Sequence, residues 1–150
     1  MSSKAERAPL PPGGRFVLGV LIFGVVATLA YWVVWFGVDR EILASAHTES
    51  YYAFENSFPL ADLWMVFTGV AASIALSKRW PSAFLWTVAA GAISIYLGLL
   101  DVLFDLENGI YRSPDTGGVV VELSINVLTL SLGTVVMIWA WRARRELAAY

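Results

Sequence analysis

Residues 94–112 read SIYLGLLDVLFDLENGIYR, an apolar run that takes on several polar side chains as it ends. These side chains are Asp101, Asp105, Glu107 and Asn108. At about 1.5 Å per residue, a helix of roughly 20 apolar residues crosses the ~30 Å hydrocarbon layer of a bilayer. We therefore expect this stretch to be the outer half of a membrane span, with its carboxyl groups held near one edge of the layer.

The composition of the whole chain places it in lipid. Of its 150 residues, 58% are hydrophobic and the mean hydropathy is +0.66, whereas soluble domains contain about 45–50% apolar residues. Four apolar runs are long enough to span a bilayer, and they cover residues 16–38, 58–76, 81–106 and 119–141. We predict an all-α fold, an antiparallel four-helix membrane bundle that forms one domain over residues 15–150. A disordered cytoplasmic tail over residues 1–14 is expected to precede it.

The basic residues predict the orientation of the bundle. All but two of the ten lysines and arginines lie before the first run, between the second and third runs, or after the fourth run. The exceptions are Arg40 and Arg112. Because loops rich in lysine and arginine stay in the cytoplasm, we expect a multi-pass protein of the inner membrane with both termini cytoplasmic. The two longer loops then face outward.

A polar seam follows the third apolar run at helical spacing. Its members stand three or four residues apart in alternation, which puts them on one face of a helix. They are Thr87, Gly91, Ser94, Gly98, Asp101, Asp105 and Asn108. The side chains in the inner half of the seam are small, so neighbouring helices can approach it closely. The side chains in the outer half are mostly acidic. The seam predicts tight packing at the cytoplasmic end and a polar pocket at the outer end.

The second and fourth runs carry acids at a matching depth. Asp62 lies near the start of the second run, and Glu122 lies near the start of the fourth, with Asn126 one turn further on. In an alternating bundle, Asp62, Asp101 and Glu122 fall about 6–8 Å inside the same edge of the apolar layer, at roughly 1.5 Å per residue. We therefore predict one acidic pocket in the outer leaflet.

Capping of helix ends is the competing interpretation of these acids. Asp62 and Glu122 fall in the first turn of a predicted helix, where the dipole favours a carboxylate by about 0.3–1 kcal/mol. Asp101 and Asp105 lie at a helix C-terminus, where the dipole disfavours negative charge, and they repel each other four residues apart. Residues that go against both the helix dipole and the spacing rule for like charges are typical of functional sites. The hypothesis of a site therefore depends most on Asp101 and Asp105.

No lysine or arginine lies within a predicted span to neutralise the acids. Three compensations remain open: protonated carboxyl groups, a cation bound by carboxylate and amide oxygens, or Arg112 folding back from the third loop as a counter-charge. The candidate residues for binding a ligand or cation are Asp101, Asp105, Asp62, Glu122, Asn126 and Asn108. Apart from a bound cation we expect no cofactor, because one histidine and no cysteine cannot provide the usual haem or transition-metal ligands.

The residues leave three functions open. The first is a non-enzymatic membrane protein whose acidic pocket binds a cation, a proton or a small polar ligand, as an accessory or transport component. The second is a membrane enzyme acting on a lipid or isoprenoid, with Asp101 as general acid and Glu122 as base. The third is a scaffold for partner membrane proteins. The expected environment is the lipid bilayer, a protein partner or a homo-oligomer is left open, and no nucleic acid is expected.

Two segments carry a resemblance to known proteins. FENSFPLADLWM, residues 54–65, and LGLLDVLFDLENGIY, residues 97–111, resemble uncharacterised small four-span bacterial inner-membrane proteins. The resemblance covers the second and third spans. It implies a polytopic inner-membrane protein in which Asp62 and residues 101–111 form a family signature, and it implies no activity.

Overall fold

The computed structural model describes residues 9–150, and within that range the chain is helical without a β-strand. Its α-helices are α1 (Gly14–Gly37), α2 (Glu49–Glu55), α3 (Pro59–Lys78), α4 (Ala83–Asn108), α5 (Thr116–Arg142) and α6 (Arg144–Leu147). Short 3₁₀ turns at Arg40–Ile42 and Ile110–Arg112 lie in the two longer loops. Four helical stretches of the described chain, α1, α2 with α3, α4, and α5, are long and apolar enough to cross a membrane. The prediction of an all-α chain with four such stretches is confirmed.

The four long helices differ in how closely they pack. α4 makes extensive contacts with α3 on one side and α5 on the other, and α1 lies along α3. In contrast, α1 has few contacts with α5. The bundle is therefore tightly closed on three sides and loosely closed between α1 and α5.

The closest approach of two helices occurs where α4 crosses α5. A Cβ atom added to Gly91 would lie 2.9 Å from the carbonyl oxygen of Gly133, and one added to Gly133 would lie 3.0 Å from the carbonyl oxygen of Gly91. Both residues are buried. The absence of side chains at these two positions thus allows the two backbones to touch, as the small inner half of the seam predicts.

The start of α5 corrects one interpretation. The side chain of Asp115 caps this helix by accepting a hydrogen bond from the backbone N–H of Gly117 at 3.1 Å, so α5 begins at Thr116 rather than at residue 119. Glu122 consequently lies nearly two turns inside the helix, and no acid occupies the first turn of α5. The prediction that Glu122 lies in a first turn is wrong, and capping does not account for it.

Two apolar clusters close the ends of the bundle. One contains Leu76, Ala83 and Leu147, which come from α3, α4 and α6, and the other contains Trp35 and Tyr51 with other residues of the longer loops. The indole N–H of Trp139 also donates to the carbonyl oxygen of Pro12 at 2.8 Å, just before α1. Of the tail predicted over residues 1–14, residues 1–8 lie outside the described residues.

Candidate functional site

A cavity of about 260 Å³ lies between α1, α3, α4 and α5. Its volume is close to the lower end of the range of about 300–1,000 Å³ that small-molecule sites occupy. Apolar side chains such as Leu132 form most of its wall, and its acidic side chains gather at one end. Glu122 and Val136 both line it, so it extends about 21 Å along α5 at 1.5 Å per residue. The cavity is therefore long, narrow and acidic at one end.

Three carboxyl groups meet at the acidic end of the cavity. Glu55 at the end of α2, Asp101 of α4 and Glu122 of α5 each offer an oxygen, and these oxygens all lie within 4.8 Å of one another. Glu55 and Glu122 are only 7% and 3% exposed, so water screens their charges poorly. We call these three residues the carboxylate cluster. Like charges this close cannot all persist without a proton or a cation between them.

Glu122 lies between Asp101 and Tyr51. Its carboxyl group offers an oxygen within 4.8 Å of one from Asp101, and it accepts a long hydrogen bond of 3.4 Å from the hydroxyl of Tyr51. The Tyr51 hydroxyl in turn accepts from the backbone N–H of Ser45 at 3.2 Å. Because an ionised carboxylate only accepts hydrogen bonds, Asp101 and Glu122 can bond to each other directly only when one of them carries a proton.

Aromatic side chains of α1 hold two of the acids in place. The hydroxyl of Tyr31 donates to Oε2 of Glu55 at 2.8 Å, and the indole N–H of Trp32 donates to Oδ2 of Asp62 at 2.8 Å. All four residues line the cavity. Asp62 therefore lies beside the carboxylate cluster without belonging to it, and its carboxylate has a side-chain partner that a simple capping role would not need.

Asp105 belongs to a separate polar cluster. It is fully buried, and its Oδ2 accepts a hydrogen bond from Nδ2 of Asn126 at 2.8 Å. The same Nδ2 donates to the hydroxyl of Tyr111 at 3.0 Å. Burial, and after it the neighbouring carboxyl group of Asp105, raises the pKa of Tyr111, so the hydroxyl keeps its proton. We call these three residues the Asp105 cluster.

The Asp105 cluster does not open onto the cavity. Neither Asp105 nor Asn126 is part of the cavity wall. Each has a buried Oδ1 atom with no hydrogen-bond partner among residues 9–150. The two acids of the seam, which the sequence groups together, are thus divided between two environments, with Asp101 in the cavity and Asp105 in a hydrogen-bonded cluster beside it.

Asn108 and Arg112 do not join the other candidate residues. Asn108 is exposed, and its Nδ2 donates to the backbone carbonyl of Phe104 at 2.9 Å. Arg112 is exposed and forms no ion pair with any residue that the structure describes. The chain turns at Gly109, which has a positive φ of 69°, and then buries Ile110 while Arg112 points outward. The counter-charge predicted for Arg112 is therefore not placed near the acids.

Glu55 is the site residue that the sequence reasoning missed. It lies outside the apolar runs, in a short helix whose N-terminus is capped by Thr48. Tyr51 and Glu55 stand four residues apart on that helix and are both buried. The sequence does carry a signal for Glu55. Thr48 is a typical helix cap, and residues four apart, such as Tyr51 and Glu55, share one face of the helix that follows.

The chain matches no protein-family model, no curated protein and no solved structure.

Proposed function

We propose that this is a small multi-pass membrane protein whose carboxylate cluster binds a positively charged ligand inside the bundle. The supporting observation is that oxygens of Glu55, Asp101 and Glu122 lie within 4.8 Å of one another in a cavity whose described wall contains no lysine, arginine or histidine. Three carboxyl groups in a poorly hydrated cavity are unfavourable until protons or a cation reduce their negative charge. A cationic ligand therefore gains free energy by entering.

The position of the cluster favours an accessory or transport role. Its members come from α2, α4 and α5, and the cavity that they close is surrounded by all four long helices. A ligand held there contacts several spans at once, so its binding can change how those spans pack. A protein of this kind would hold or pass a cation within the membrane.

We also infer an inner-membrane orientation in which both termini are cytoplasmic and the carboxylate cluster lies in the outer leaflet. The ends of α3, α5 and α6 share one apolar cluster through Leu76, Ala143 and Leu147. Basic residues are concentrated at this end, and they include Lys78, Arg79, Arg142, Arg144 and Arg145. Such concentration is typical of the cytoplasmic side.

Cysteine labelling tests this orientation, because the chain has no cysteine of its own. Thr116→Cys and Ser77→Cys each place one thiol at an exposed position, at opposite ends of the bundle. In intact cells or spheroplasts, a membrane-impermeant maleimide is expected to label the Thr116→Cys variant and to leave the Ser77→Cys variant unlabelled. Both should react after permeabilisation. The reverse pattern in intact cells would contradict the orientation.

Thermal unfolding of the purified protein in detergent tests the binding function. Na⁺, Ca²⁺ and methylammonium are added one at a time to a chelated buffer of low ionic strength. At least one is expected to raise the Tm, because a ligand that binds only the folded state stabilises it by about 2.7 kcal/mol at 100 times its Kd. Glu122→Gln and Asp101→Asn should each reduce this rise, since each removes one negative charge from the cluster.

Glu107→Gln is the matched control for these substitutions. Glu107 is an exposed carboxyl group on α4, outside the cavity wall, so its neutralisation should leave the cation-dependent rise in Tm intact. The proposal fails if none of the three cations raises the Tm of the wild type. It also fails if the rise is undiminished in both Glu122→Gln and Asp101→Asn.

A second candidate function is an enzyme that acts on a lipid or isoprenoid. The observation that favours it is the close approach of the carboxyl groups of Asp101 and Glu122 at the end of an apolar cavity. Such a pair offers a protonated carboxyl group as acid and an ionised one as base within reach of the same substrate. A scaffold gains no comparable support, because the buried acids and Gly91 face the interior.

A further inference from the structure

We propose that the ligand is an amphipathic organic cation, a protonated amine with one apolar chain, that enters the cavity sideways from the bilayer. This inference rests on the proposed function, since it names the class of ligand that the carboxylate cluster holds. Three features of the cavity carry it: the spacing of the carboxyl oxygens, the apolar space beyond them, and the loose contact between α1 and α5.

The carboxyl oxygens are close enough together for one ammonium group to reach all three. A primary ammonium ion has three N–H donors. Each N–H group points to a corner of a tetrahedron and bonds an acceptor about 2.7–2.9 Å from the nitrogen. Two such acceptors then lie roughly 4.4–4.7 Å from each other. The oxygens of Glu55, Asp101 and Glu122 lie within 4.8 Å of one another, so each can accept one of the three N–H groups.

Two members of the carboxylate cluster, Asp101 and Glu122, are also short of hydrogen-bond donors. Glu122 is 3% exposed, and its hydroxyl donor, Tyr51, is 3.4 Å away. Asp101 accepts no hydrogen bond from a hydroxyl, amide or indole group of the described residues. A buried carboxyl group without donors is unfavourable, and an ammonium ion would provide both the donors and the positive charge.

The apolar part of the cavity has room for a chain. Beyond the acids, the wall is formed by side chains such as Leu21, Val66, Leu132 and Val136, and it extends about 21 Å from Glu122 at 1.5 Å per residue. An inorganic ion held by the three carboxyl groups would leave this space empty. A single alkyl chain would fill it and would lie against side chains of matching polarity.

The side of the cavity between α1 and α5 provides the way in. Phe23 of α1 and Leu128 of α5 line the cavity and are also exposed on the outer surface of the bundle, so they lie at its rim. Between α1 and α5 there are few contacts to hold this side closed. A ligand dissolved in the bilayer would meet this opening within the apolar layer, without crossing the polar loops.

The charges favour an amine that carries no phosphate. A zwitterionic phospholipid would bring a phosphate together with its ammonium group. The described wall of the cavity has no basic side chain to meet that phosphate, and the carboxylates would repel it. The occupant is therefore a simple amphipathic amine rather than a phospholipid headgroup.

Binding of alkylammonium ions to the protein in phosphatidylcholine nanodiscs tests this inference, with empty nanodiscs as the blank. Methylammonium and dodecylammonium share the charged head and differ in the chain. Gly24→Leu fills the apolar space, because Gly24 lines the cavity and an added Cβ meets no atom within 4 Å. Gly19→Leu is its matched control, since Gly19 also lies on α1 with no atom within 4 Å but is outside the cavity wall.

We expect Gly24→Leu to weaken the binding of dodecylammonium about tenfold, or by ~1.4 kcal/mol, and to leave methylammonium binding unchanged. Gly19→Leu should change neither. Because partition into the bilayer is the same for all variants, this comparison isolates the cavity. Glu122→Gln should weaken the binding of both amines.

Three results would overturn the inference. If dodecylammonium binds the wild type and Gly24→Leu equally while methylammonium binding still needs Glu122, the inference is wrong and the proposed function stands. If neither amine nor any inorganic cation binds the wild type, both are wrong. If phosphatidylethanolamine added to the nanodiscs displaces dodecylammonium, the site takes a lipid headgroup and not a phosphate-free amine.

Discussion

Replacing Gly91 by alanine is expected to destabilise the folded bundle by about 1–3 kcal/mol, the usual cost of forcing extra volume into a tightly packed interior. The added Cβ would lie 2.6 Å from Cγ of Met137 and 2.9 Å from the carbonyl oxygen of Gly133. The Met137 side chain can rotate away, but the Gly133 carbonyl can move only if α5 separates from α4. Thermal unfolding in detergent should show this as a fall in Tm.

Gly19→Ala is the matched control for this substitution. Gly19 also lies within a long helix, but a Cβ there meets no atom within 4 Å. Alanine is favoured over glycine in a helix interior by about 1 kcal/mol, so this variant should be as stable as the wild type or more so. A Gly91→Ala protein with an unchanged Tm would show that α4 and α5 do not cross as closely as described.

Apolar length alone predicts most of this fold. A continuous apolar run of about 20 residues has few alternatives to a helix in lipid, because every backbone polar group must be satisfied within the segment. The third run, predicted over residues 81–106, is observed as a helix at Ala83–Asn108. The start of α5 was missed because it depends on a hydrogen bond from Gly117 to Asp115, which a hydropathy pattern does not register.

The division of the acids between two environments could not be predicted from spacing. Helical periodicity shows that Asp101 and Asp105 share a face, but not which neighbour each one meets. Asp105 accepts from Asn126 on α5, and the same amide donates to Tyr111 in a 3₁₀ turn, so the environment of Asp105 depends on how α5 is rotated and on where the loop packs. Glu55 likewise reaches the cavity from a loop helix that no apolar run indicates.

The Asp105 cluster is expected to show the other large effect on stability. Asn126→Leu removes the amide that donates to Oδ2 of Asp105, a fully buried carboxyl group whose Oδ1 already lacks a partner among the described residues. Leaving a buried acceptor unsatisfied costs about 1–3 kcal/mol, and more if it is charged. Asp105→Leu should destabilise the protein for the converse reason, because it leaves one of the two N–H groups of the Asn126 amide without its acceptor.

The double variant distinguishes a hydrogen-bonded pair from two independent contributions. Replacing both partners by apolar residues of similar shape can be nearly neutral, so Asp105→Leu with Asn126→Leu should lose less stability than the sum of the single variants. We expect a coupling free energy of about 0.5–3 kcal/mol in a double-mutant cycle measured by unfolding. Strict additivity would show that Asp105 and Asn126 do not interact.

The same double variant separates structure from binding. Because neither Asp105 nor Asn126 lines the cavity, the folded double variant should keep the cation-dependent rise in Tm that Glu122→Gln reduces. Asp105 would then stabilise the packing of α4 against α5, and the two seam acids would have different roles, Asp101 in binding and Asp105 in structure. Loss of the cation response in a folded double variant would instead place Asp105 in the binding site and require the cavity to extend past Asp101.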